Sequence, residues 1–206
     1  MPDDEGLTPP ADRPESWPVA SSRDLFRDTW VMALRSDTVS RPGHEHEQFP
    51  RLVLEHPGSV MVLAVDDEDR VLVLEQYRHA AQRRFVELPA GLCDVDHEDP
   101  LRTAQRELLE EAELRAATWE HLVTTYPSPG ISSERMEIFL ARGLAPADRG
   151  EFELAHEEAD MTSRWVPLDE LVDAVLESRV TASPLALAVL AYAHRRLRAT
   201  GRPDHA

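Results

Sequence analysis

The chain has 206 residues, with 39 acidic residues against 22 basic ones and a formal net charge of −17. That length suits one domain with a sizeable core. Every basic residue is arginine, and so acidic a surface repels a polyphosphate backbone, which argues against nucleic-acid binding but leaves a small anionic substrate open.

Residues 1–22 hold Pro2, Pro9, Pro10, Pro14 and Pro18 among acids and small residues, which predicts a disordered tail. The start is acidic where a secretory signal would be basic, and no apolar run nears membrane-spanning length, so no membrane partner is expected. Residues 23–55 read as an N-terminal β segment, with strands over Trp30–Leu34 and Arg51–Glu55, ahead of a main domain over residues 56–200. Val60–Val65 and Val71–Leu74 bracket Asp66-Asp67-Glu68-Asp69, which predicts a hairpin with an acidic turn. Cys93 is the only cysteine, so no intrachain disulfide can form, and a reducing cytoplasm is the expected location. Further strands are predicted over His121–Thr125, Met136–Ala141 and Arg164–Val166, and helices over Leu168–Leu176 and Pro184–Leu197. Strands with helices between them indicate an α/β arrangement.

The densest chemistry lies between Gly91 and Glu111. Asp99-Pro100 reads as a helix N-cap and first helical residue, since Asp can accept from free N–H groups and Pro has no N–H to orphan. Leu101, Ala104, Leu108 and Ala112 then form an apolar stripe, while Glu107, Glu110 and Glu111 share another face. Acids in the last turns of a helix oppose its dipole and repel one another. A hard cation would reverse that cost, because carboxylate oxygens are the ligands Mg²⁺ or Mn²⁺ prefers. Taken alone, the three acids would serve equally as a solvated acidic face.

The surrounding residues resemble the Nudix box: Gly, five residues, Glu, seven residues, then Arg-Glu-aliphatic-x-Glu-Glu-x-Gly-aliphatic. Gly91, Glu98, Arg106, Glu107, Leu108, Glu110, Glu111 and Leu114 match it, with seven residues between Glu98 and Arg106. Two departures stand out: six residues separate Gly91 from Glu98, and Glu113 occupies the place of the second Gly. A left-handed helix end suits Gly and penalises Glu, so the helix is expected to terminate differently here. Glu87-Leu88-Pro89-Ala90, Glu75-Gln76-Tyr77-Arg78, Ser128-Pro129-Gly130 with Ser133-Glu134, and His156 to Met161 resemble the ADP-ribose pyrophosphatase branch of that family.

The resemblance implies a mixed sheet sandwiched between helices, preceded by the N-terminal β segment. It also implies metal-dependent hydrolysis of the pyrophosphate bond of ADP-ribose to AMP and ribose 5-phosphate. Glu107, Glu110, Glu111 and the carbonyl of Ala90 would hold Mg²⁺ (or Mn²⁺), and Arg106 would orient a carboxylate. Glu157 or Glu158, with Glu157 preferred, would be the general base. Arg51, Arg78 and Glu134 would contact the substrate, Arg51 and Glu134 across the boundary of a homodimer. Two alternatives stand beside this: hydrolysis of another nucleoside diphosphate derivative, and an ADP-ribose sensor without turnover.

Overall fold

The computed structural model describes residues 10–199 and residue 201. Three antiparallel strands come first: β1 (Val19–Phe26), β2 (Ala33–Ser40) and β3 (Gln48–Glu55), in spatial order β1-β2-β3. Then follow β4 (Ser59–Ala64), β5 (Arg70–Arg78), β6 (Arg83–Glu87), β7 (Ala90–Leu92) and helix α1 (Pro100–Ala112). The chain continues through β8 (Leu114–Thr125), β9 (Met136–Pro146), β10 (Thr162–Pro167), α2 (Leu168–Leu176) and α3 (Ser183–Ala199). Strands β7-β4-β9-β8 form a mixed sheet, with β4 and β9 parallel, and β10-β5-β6 form an antiparallel one.

Strand alternation explains the layering. Val60, Val62 and Ala64 of β4 point to one side, where they meet Phe139, Ala104 and Leu108 beneath α1. Met61 and Leu63 point to the other, where Ile138, Leu171, Leu185 and Val189 place α2 and α3. The mixed sheet is thereby sandwiched, and the stripe on α1 is its inner face, with Ala104 and Leu108 fully buried.

Three expectations need correction. The hairpin at Asp66–Asp69 exists only as a turn: Val65 and Val71 form a single bridge, and β4 and β5 then enter different sheets. Both faces of β4 are buried, so it sits centrally between β7 and β9 and has no free edge for β5. Residues 19–22, assigned to the tail, begin β1, whose eight residues are all exposed. Pairing with β2 holds that strand, and it carries no alternating apolar signal for the sequence to display. Trp30 and Val31 lie outside β2, which starts at Ala33.

Helix α1 also ends as the box would have it, despite Glu113. That residue adopts the left-handed conformation, with φ 52°, and its N–H reaches the carbonyl of Leu109 at 3.0 Å. An ion pair with Arg149 at 3.0 Å and the Ala147 N–H donating to the Glu113 carbonyl at 2.8 Å hold it there. The left-handed form costs a residue with a Cβ about 1–2 kcal/mol, which these bonds offset.

Candidate active site

The N-terminus of α1 is capped by Asp99, whose carboxylate accepts from the Leu101 N–H at 2.8 Å. The helix lies against β7, which brings the acidic face beside the Ala90-Gly91 backbone. Glu111 turns inward and accepts the Ala90 N–H at 2.9 Å. A Cβ on residue 91 would overlap the Glu107 carboxyl group, so only glycine lets this carboxylate reach the strand. Arg106 Nη1 lies 2.7 Å from Glu107 and 2.8 Å from Glu110, one guanidinium clamping two carboxylates. Glu98 stands 3.9 Å from the same guanidinium and accepts from the Thr103 hydroxyl at 2.8 Å.

Ala90, Gly91, Arg106 and Glu107 line a cleft of about 560 Å³. Arg78 lines it, held by Glu87 through contacts of 2.7 and 3.0 Å. Glu134 lines it too, accepting from the Ser59 hydroxyl at 2.7 Å with His56 4.0 Å away. Burial holds His56 below the ordinary imidazole range, with Glu134 pulling the other way. Glu158 enters from the short 3₁₀ turn His156–Asp160, which Arg84 anchors through the Asp160 carboxylate and carbonyl. The side chain of Glu157 lies outside the described residues. Arg51 is elsewhere in this chain, stacked 4.3 Å over the Phe49 ring on β3.

The structure thus brings Arg78, Ala90, Arg106, Glu107, Glu134 and Glu158 to one cleft, with Glu111 bonded to the Ala90 N–H and Glu110 to Arg106. Sequence reasoning missed His56, Ser59 and Trp30, which line the cleft from segments without any motif. Glu87 was visible only as part of a flanking run.

Burial pushes Glu107 up to about 7 and Glu111 up to about 8, against an ordinary glutamate value of 4.5. Arg106 opposes the shift at Glu107, and the Ala90 N–H opposes it at Glu111. Carboxylates buried beside a glycine strand supply the hard oxygen donors that a divalent cation favours. A sign follows for stability. Between the unfolded and folded values the native chain holds more protons than the unfolded one, so stability falls as pH rises. Chelator-treated protein is expected to lose thermal stability steadily from about pH 5 to about pH 8, and saturating Mg²⁺ to remove most of that loss. A melting temperature that stays level in chelator over this window would overturn the assignment of these carboxyls as buried and protonated.

The family model described as the NUDIX domain matches residues 55–185. The chain belongs to the Nudix family. Nudix relatives similar to it include a protein of Mycobacterium tuberculosis named ADP-ribose pyrophosphatase, 44% identical over 161 residues, 78% of this chain and 76% of that one. A Streptomyces rubellomurinus protein, named CMP-5'-(N-acetyl-N-hydroxy-3-aminopropyl)phosphonate hydrolase, is 36% identical over 81% of this chain and 78% of its own. A Bacillus methanolicus protein named methanol dehydrogenase activator is 32% identical over 77% and 83%. Among solved structures, one titled as an ADP compounds hydrolase superposes with a TM-score of 0.74 over 94% of this Nudix chain and 100% of its own. At 17% identity that likeness concerns the fold.

Proposed function

We propose that this Nudix protein is a Mg²⁺- or Mn²⁺-dependent pyrophosphohydrolase that cleaves ADP-ribose to AMP and ribose 5-phosphate. The observation that carries this is the meeting of Glu107 and Glu111 with the Ala90-Gly91 strand at the edge of the cleft, in a chain 44% identical to a protein bearing that activity as its name. Glu107, Glu110, Glu111 and the Ala90 carbonyl would hold the cation. When bound, it neutralises diphosphate charge and lowers the pKa of water.

The chain's own groups do the rest. Arg106 fixes the Glu107 and Glu110 carboxylates, so their geometry is set before substrate arrives. Glu158 or Glu157, on the 156–160 turn, takes a proton from the attacking water. The water oxygen bonds to one phosphorus, the bridging P–O bond breaks, and two phosphate monoesters leave. Arg78 grips a substrate phosphate, and Glu134, which lines the same cleft, orients the substrate.

A second reading has its own support: a Streptomyces relative 36% identical to this chain is named for hydrolysis of a CMP-linked phosphonate. Turnover across a panel of nucleoside diphosphate derivatives tests the two. ADP-ribose is expected to lead in kcat/KM by at least about tenfold. Another compound turned over as well or better would assign the second reading.

The working form on this reading is a homodimer in the cytoplasm. Phe26 and Leu52 are exposed on one face of the β1-β2-β3 sheet, an apolar surface that a second copy would cover. The sheet is tied to the main domain near the end of β3, where Leu54 and Ile131 bond at 2.7 Å and Leu54 and Ser133 at 3.0 Å. Arg51, remote from its own cleft, would serve the partner's. Scattering-derived mass at micromolar concentration is expected to be twice the chain mass. A fully active monomer would overturn the dimer.

A further inference from the structure

A second cavity, of about 480 Å³, lies on the other side of Arg106 from the cleft, between α1 and the start of β8. Arg102, Gln105, Arg106 and Leu109 form its helical wall, at the spacing of a single helix face. Arg115 and Trp119 of β8 close it. Trp119 is half-buried, packing against the core beneath α1 while lining the cavity.

Its charge is out of keeping with the chain. Three arginines line it in a protein of net charge −17, against one acid, Glu98. That acid is already engaged by Thr103 and lies near Arg106. Arg102 meets only a neutral amide oxygen, that of Gln105, at 3.2 Å. The Arg115 guanidinium makes no hydrogen bond or ion pair among the described residues. Arg106 Nε is buried without a partner. An unpaired Arg115 guanidinium, an Arg102 bonded to a neutral amide and an indole nearby are the chemistry that takes a phosphate joined to a flat ring. The volume falls within the range of small-ligand sites.

We propose that this cavity is a regulatory site for a nucleoside monophosphate, its phosphate held by Arg102 and Arg115 and its base laid against Trp119. The link to catalysis is Arg106, whose Nη1 clamps Glu107 and Glu110 on the far side. An anion beside this guanidinium competes for it and loosens the clamp, so occupancy lowers kcat. That the natural ligand is AMP, a product, rests on the ADP-ribose reading above; the existence of the site does not.

The test is AMP binding to the full chain by calorimetry in chelator, with R102Q/R115Q beside wild type. Wild type is expected to bind AMP at least about tenfold more tightly than the double variant, and to bind ribose 5-phosphate, adenosine and inorganic phosphate much more weakly. In turnover with Mg²⁺, AMP is expected to lower kcat and raise apparent KM in wild type. In R102Q/R115Q only the KM effect should remain, from product binding in the cleft, with basal kcat unchanged. Equal AMP binding by both proteins, or purely competitive inhibition of wild type, would overturn the site. Inorganic phosphate binding as well as AMP would overturn the nucleotide assignment. If ADP-ribose is not a substrate, the calorimetric arm still decides the site, so the two readings fail separately. Both substituted arginines are exposed, and an unchanged melting temperature confirms the fold of the variant.

Discussion

Glu107→Gln and Glu111→Gln are each expected to lower kcat by at least about 10²–10³-fold while the fold survives. Glutamine keeps the shape of glutamate, and its side-chain oxygen can still accept the Ala90 N–H that Glu111 accepts at 2.9 Å. The substitution removes the negative charge that would hold a cation, without opening a cavity. Because burial raises both carboxyls toward neutrality, the variants should melt no lower than wild type in chelator at about pH 8, and Glu111→Gln should melt higher. The stabilisation by Mg²⁺ should be largely lost in both. Glu110→Gln is expected to be milder, since Glu110 is bound to Arg106 at 2.8 Å and does not line the cleft. Steady-state turnover and thermal melts with and without Mg²⁺ check all three. Full activity in either main variant, or in wild type after exhaustive chelation, would remove the metal role.

The second large effect is expected on the 156–160 turn. Substituting the general base should lower kcat strongly, by roughly 10²–10⁴-fold, and leave metal-induced stabilisation intact, because a base acts in the transition state. Glu158 lines the cleft, so Glu158→Gln is the variant expected to show it. Glu157→Gln is the necessary companion. A large loss in Glu157→Gln with normal turnover in Glu158→Gln would hand the role to the neighbour. Normal turnover in both would place the base off this turn. Asp160→Asn provides a control for positioning: it removes the carboxylate that Arg84 holds and should lower kcat less, with a change in how the turn is ordered rather than in its chemistry.

Much of this was already present along the chain. The apolar stripe and the acid face of α1, its Asp99-Pro100 start, and the bounds of α2 all depend on contacts within one or two helical turns, so local pattern sufficed. The motif from Gly91 to Leu114 identified the family for the same reason: its spacing is the spacing of a strand, a loop and a helix. What a Cβ at residue 91 would meet was not legible, because the atoms belong to Glu107, sixteen residues on, and meet it only when α1 docks on β7.

The turn at Asp66–Asp69 looked like a hairpin because turn chemistry is local, whereas the partners of a strand are chosen by burial on both its faces. β1 left no apolar signal because all eight of its residues face solvent and pairing alone holds it. Glu113 kept a left-handed cap against its own preference because Arg149 and Ala147, brought in by the β9 side of the fold, outweigh about 1 kcal/mol of strain. The sequence by itself determined the carboxylates, their helix and their family. Only the tertiary structure decided that His56, Ser59 and Trp30 share a cleft with them and that Arg51 does not, since those residues come from separate segments without a motif that only packing brings together or keeps apart.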